Sequence, residues 1–369
     1  MTIDELLRAA VEDGVFPGCV ALVWRDGAQR YLGAHGRLAS HPLAAELATP
    51  VEPETIYDLA SLTKVLSTTT LIARAIGQGR LHLDDPVPES LAPVDGRPTL
   101  RDLLEHAAGL EAHREFFHEP WWLAPGQREA LIEAVRRVPR ACAARVRAIY
   151  TDLGFLLLGA WLERLEGARL DVLFAEHIAE PLGIADRIGF CPLDRPPSFA
   201  TDRVAPTEVY EGAIEHWHPI RAQLGRPFAH AIVHDDNCVI MNGVAGHAGL
   251  FGSASAVLAI ARAWLERRLP GVPEVARDYV WQLFSMASSV PESTRRLGFD
   301  GPAPDGSGST ATALSGAAIG HLGFTGTSVW IDPERQAIHV LLSNRVHPNR
   351  HDPRIRAVRQ RFHTLAAMI

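Results

Sequence analysis

Two rhythms of apolar residues run through this chain. Spacings of three and four residues predict helices at 99–106, 128–137, 154–166, 170–180, 255–267, 275–286 and 354–369. Unbroken apolar runs, partly β-branched, predict buried strands at 18–24, 323–331 and 337–343. Asp26-Gly27, set between the first run and Tyr31-Leu32, is a hairpin signal, and Asp332-Pro333-Glu334-Arg335 joins the last two strands. Thr2 and Glu5 form a capping box on the first helix. From 81 to 181 the pattern is helical with no convincing strand alternation. The stretch 38–55 reads as a connection, and 195–242, rich in Pro and His, as irregular. An α+β chain follows. Residues 1–80 and 245–369 carry the sheet, and 81–244 form a mostly helical insert.

The closing helix follows Pro353 and sets Ile355, Val358, Phe362 and Leu365 on its apolar face. Its arginines Arg354, Arg356, Arg359 and Arg361 read as a solvated face.

Composition narrows the classes. With 369 residues, 47% of them hydrophobic, a large core and about two domains are expected. A net charge of −7 without basic clustering argues against nucleic acid as a partner. Cys19, Cys142, Cys191 and Cys238 are far apart, which suits reduced core residues better than a disulfide framework or zinc site. No window approaches eighteen apolar residues, so no membrane span is expected. The first residues lack an export signal, which gives a cytoplasmic expectation. Among seventeen histidines the densest group is His234-Asp235-Asp236 with His247, but no H-E-x-x-H spacing occurs, so neither metal nor cofactor is expected.

The candidate chemistry starts at Ser61-Leu62-Thr63-Lys64, which opens a long apolar helix ending near Gly77. Residues three apart share a helix face, so the Ser61 hydroxyl and Lys64 amine can meet. A serine needs such a neighbouring base to become a nucleophile. Taken alone, the tetrad equally describes a capped helix with a solvated lysine. Further along, Tyr150-Thr151-Asp152 precedes a helix, and His321-Leu322-Gly323 opens the strand through Ile331.

These three segments resemble the S-x-x-K, Y-x-N and K-T-G (or H-x-G) signatures of the penicillin-recognising serine hydrolases, the group of class C β-lactamases, related esterases and DD-peptidases. The likeness extends through Gly79–Val87, 103–110, 180–184 and 243–251, and covers about 16–348. It implies an antiparallel sheet flanked by the N- and C-terminal helices, an inserted helical part, and a cleft between them. It also implies acyl transfer through Ser61, with Lys64 and Tyr150 sharing the proton work in either order. The backbone N–H groups of Ser61 and Phe324 would form the oxyanion hole, with Gly323 allowing close approach.

Departures from the pattern bear on substrate. His321 and Leu322 replace a cation and a hydroxyl that hold a substrate carboxylate in relatives; His321 as an imidazolium would restore charge, and Arg345 either supplies it from the neighbouring strand or bonds to its own loop. Asp152 in place of Asn either pairs with Lys64, raising its pKa and shifting base duty to Tyr150, or caps the helix beginning at Gly154. His247 either lines the cleft or braces its loop. Phe116-Phe117 and Trp121-Trp122 either wall an acyl pocket or fill the core. The expected activity is hydrolysis of esters or small amides. Alternatives are a D-Ala-D-Ala carboxypeptidase-like peptidase or amidase for cell-wall fragments, a β-lactamase, and a penicillin-binding sensor that does not turn over.

Overall fold

The computed structural model describes residues 1–118, 127–210 and 227–369. After the capped helix α1 (Ile3–Glu12) the hairpin forms as expected from β1 (Gly18–Arg25) and β2 (Ala28–Gly36). A short strand β3 (Tyr57–Asp58) then leads to the Ser61 turn and the helical stretch Lys64–Thr69, continued by α2 (Thr70–Gly77). Helices α3 (Leu100–Leu104), α4 (Arg128–Arg136), α5 (Asp152–Glu166) and α6 (Leu170–Phe174) follow. Next come β4 (Ile188–Phe190), α7 (Asp236–Ile240), β5 (Leu250–Gly252), α8 (Ala254–Leu265) and α9 (Arg277–Ser285). The chain closes with β6 (Ile319–Leu322), β7 (Ser328–Asp332), β8 (Ala337–Ser343) and α10 (Ile355–Ala366).

The main sheet is antiparallel, ordered β2-β1-β8-β7-β6, and a small second sheet runs β3-β5-β4. First and last strands thus meet at the centre, with Cys19 opposite Ser343 and Val23 opposite His339. Strand β1 is an unbroken apolar run because both of its faces are covered. Val20, Leu22 and Trp24 join the large core shared with α2, α5 and α8. Cys19, Ala21 and Val23 face the other way, onto α1 and α10. Strand β2, at the edge, is largely exposed and correspondingly polar.

Four expectations change. The third motif does not open a strand. His321 and Leu322 end β6, and 323–327 is a tight turn closed by Gly323 N–H to Thr327 O at 2.7 Å, with Gly326 at φ +115°. The helix after Ser61 is not uniformly apolar: Lys64–Thr69 winds as a π-helix, and Ser67, Thr68, Thr69 and Thr70 are all buried. The Thr70 hydroxyl donates to the Val65 carbonyl five residues back, which suits the wider turn. Arg359 is not part of a solvated face but only 7% exposed. Cys142 is half-buried, whereas Cys19, Cys191 and Cys238 lie in the core. In addition, β4 arises within the span expected to be helical or irregular. Among the described residues no helix is long and apolar enough to cross a membrane.

Candidate active site

The turn that presents Ser61 is strained and braced. Ala60 sits at φ +48°, a left-handed conformation costing about 1–3 kcal/mol for a residue with a side chain. The buried Asp58 carboxylate holds it there, accepting the Ala60 N–H at 2.8 Å and the His234 N–H at 2.7 Å. The turn 323–327 is tied to the same segment: Thr325 and Thr327 hydroxyls donate to the Asp58 and Leu59 carbonyls at 2.6 and 3.1 Å. Gly323 packs so closely that a Cβ would lie 2.6 Å from the Leu59 oxygen. Phe324 is thereby carried to the Ser61 turn. Neither the Ser61 nor the Phe324 N–H donates to any group among the described residues.

Lys64 is fully buried, and its Nζ donates to Ser61 Oγ at 3.0 Å, Asp152 Oδ1 at 2.7 Å and the His247 carbonyl at 3.4 Å. Burial alone would push the Lys64 pKa down. The Asp152 carboxylate and the Tyr150 hydroxyl outweigh it, and the net shift is upward. Asp152, reciprocally, is held far below the usual carboxylate range, against the effect of burial, by Lys64 and by His113, whose Nδ1 lies 3.2 Å from Oδ2. The hydrogen bond to Asp152 raises the His113 pKa. The helix cap is Thr151, whose hydroxyl accepts the Leu153 N–H, so of the two roles open to Asp152 it fills the lysine pair. His247 does both things expected of it, lining the cavity and bracing the loop through Asp235 Oδ1 at 2.9 Å.

Tyr150 stands between cations: Lys64 Nζ and the Arg295 guanidinium each lie 5.0 Å from its ring centre. His321 is 5.6 Å from it, ring to ring. Burial, then the charges of Lys64 and Arg295, push His321 down to about 3, so it is a neutral imidazole rather than an imidazolium. Its Nδ1–H donates to the Leu322 carbonyl at 2.7 Å, leaving Nε2 a buried acceptor with no partner among the described residues. Arg345 is committed to its own surroundings, donating to the Phe324 and Arg350 carbonyls at 2.8 Å and covering the Phe324 ring at 4.4 Å.

A cavity of about 1040 Å³ joins these groups, lined by Ser61, Tyr150, Asp152, His321, Leu322, Gly323 and Phe324. All candidate site residues therefore converge, with Lys64 directly behind Ser61. Phe117 lines the cavity while Phe116 is buried in the core; Trp121-Trp122 lie outside the described residues. Three contributors escaped the sequence reading: His113, Arg295 and Arg359. His113 and Arg295 belong to no local spacing pattern, Arg359 reads in sequence as part of a solvated helix face, and His113 meets Asp152 from 39 positions away. No group of three or more potential metal ligands occurs among the described residues.

A serine hydroxyl bonded to a buried lysine, a tyrosine beside them and a glycine turn on the sheet edge define a serine hydrolase of the penicillin-recognising type. The comparisons agree: a family model described as Beta-lactamase matches residues 3–362, and the chain belongs to that family. A "Putative D-alanyl-D-alanine carboxypeptidase" of Escherichia coli O157:H7 is 29% identical over 374 residues, covering 95% of this chain and 83% of the relative. An "N-acetylmuramyl-L-alanine amidase" of Bacillus subtilis (strain 168) is 28% identical over 374 residues, covering 95% and 82%. Among solved structures, "EstCE1, a hydrolase with promiscuous acyltransferase activity" shares the fold with a TM-score of 0.70 at 22% identity over 97% of each chain.

Proposed function

We propose that this enzyme hydrolyses neutral esters or small amides through an acyl-enzyme on Ser61, with Tyr150 as the base. The observation that carries the reading is the state of Lys64. As an ammonium it has three N–H groups and three acceptors in reach, so it holds no lone pair with which to take the serine proton. Of the two candidates, Tyr150, set between Lys64 and Arg295, is the remaining base. It takes the Ser61 proton as Oγ bonds to the carbonyl carbon, while the N–H groups of Ser61 and Phe324 receive the developing oxyanion. Collapse breaks the bond to the leaving alcohol or amine, which recovers the proton from Tyr150. Water then attacks the acyl-enzyme, its proton passing through Tyr150, and Ser61 is regenerated as the acid departs.

Neutral substrates follow from the third motif. A charged hydrogen bond is worth about 1.5–3 kcal/mol, or one to two orders of magnitude. With His321 neutral, Leu322 lacking a hydroxyl and Arg345 occupied, the third motif itself offers a carboxylate beside the scissile bond no such partner. Hydrolysis of peptides or amides from cell-wall fragments is the second reading, favoured by a cavity larger than a small ester requires and by the names of the two relatives. A steady-state panel separates them. Turnover of p-nitrophenyl acetate or butyrate well above that of nitrocefin, D-Ala-D-Ala peptides and muramoyl-peptides is expected. The reverse ranking contradicts the inference from His321 and Leu322.

A further inference from the structure

One peptide group links the proposed oxyanion hole to the last helix. The Phe324 N–H and the Gly323 carbonyl belong to the same planar unit, so charge drawn at one end is felt at the other. Arg359, on α10, donates through Nη2 to that Gly323 carbonyl at 2.6 Å and to the Thr327 carbonyl at 2.7 Å. The side chain is almost wholly buried, its Nε finds no acceptor, and no carboxylate among the described residues pairs with it. Among the described residues the other charges bearing on it are Arg345 and Arg356, both repulsive.

A buried guanidinium without a counter-ion is a costly way to pack a helix on a sheet. What it supplies that an aliphatic residue lacks is positive charge on one carbonyl oxygen. Hydrogen bonds in series polarise one another, more strongly where water is excluded. Resting on the acyl-enzyme reading above, we propose that Arg359 is a positioning residue for catalysis: it polarises the Gly323–Phe324 peptide, making the Phe324 N–H a stronger donor to the oxyanion, and fixes that N–H toward Ser61. The effect belongs to the transition state, where negative charge develops on the substrate oxygen, and only weakly to the bound substrate.

Arg359→Gln keeps a donor but removes the charge, and Arg359→Lys keeps the charge on a single ammonium. Each is compared with the native enzyme in kcat and KM on the best ester, with a thermal melt to establish folding. The expected result is a kcat about tenfold or more lower for Gln and about threefold lower for Lys, with KM within twofold in both. Removing a whole oxyanion donor costs about 10²–10³ in kcat, which bounds the loss from above. Native kcat in a folded Gln variant, a Lys variant no better than Gln, or a loss carried by KM overturns the proposal. If Gln does not fold, Lys alone decides, and native kcat or a KM-only loss in it has the same meaning. The rate of fluorophosphonate labelling of Ser61 in the same variants gives a readout independent of substrate choice. Complete absence of labelling in the native enzyme refutes the acyl-enzyme reading itself and not the role of Arg359.

Discussion

Asp152 shows how much one atom pair decides. With Asn in its place, Lys64 would lose its buried counter-charge, and burial, otherwise outweighed, would pull the ammonium pKa down. The sign is clear: a carboxylate raises a lysine pKa, so removing it moves loss of the ammonium to lower pH. Asp152→Asn is therefore expected to shift the alkaline limb of kcat/KM to lower pH, and to destabilise by about 3–5 kcal/mol, as breaking a buried pair typically does. An alkaline limb left in place in pH–rate profiles would contradict the pairing. Sequence made Ser61, Lys64, Tyr150 and Asp152 legible because motif spacing and order survive without coordinates. It left the partner of Asp152 undecided, since a helix cap and an ion pair have the same one-letter appearance. His113 was not legible at all and Arg359 was legible only as a solvated helix residue, because their roles depend on burial and on contacts across 39 and 36 positions.

At the scale of elements, the third motif teaches a related lesson. Apolar residues from 323 to 331 read as one strand, yet Gly323, Thr325, Gly326 and Thr327 serve a turn whose hydroxyls and carbonyls bind Asp58, Leu59 and Arg359. Apolar periodicity does not distinguish a strand from a turn so heavily bonded to its surroundings. Helix α10 was legible from its period, but not the pair it buries against β8. His339 and His363 stack at 5.7 Å, and burial drives His363 well below its ordinary range and His339 down to about 4. In the unfolded chain both titrate near 6.5, so between pH 6.5 and 4 the unfolded state binds protons that the folded one refuses. Stability is thus present in full above 6.5 and falls as the pH is lowered, by roughly 3 kcal/mol from His339 alone at pH 4. Urea midpoints at pH 7.5, 6 and 5 should decline in that order, and His339→Phe should flatten the decline. Midpoints independent of pH in the native chain would refute it.

Over the whole molecule, the sheet joins the two ends of the chain, so the Ser61 turn, the Tyr150 segment and the 323–327 turn are gathered from positions far apart. The α+β class was readable from the rhythms, and the antiparallel pairing of first and last strands came with the family resemblance. The strand order β2-β1-β8-β7-β6 and the β4 pairing depend on long-range register, which local pattern does not encode. Catalysis by this assembly requires one thing: that Ser61 is the residue made nucleophilic. Intact-mass analysis after incubation with a fluorophosphonate tests it most directly. The expected result is a single adduct, mapped to Ser61 by peptide digestion, that is missing from Ser61→Ala; an adduct that persists in that variant, or maps elsewhere, contradicts the account.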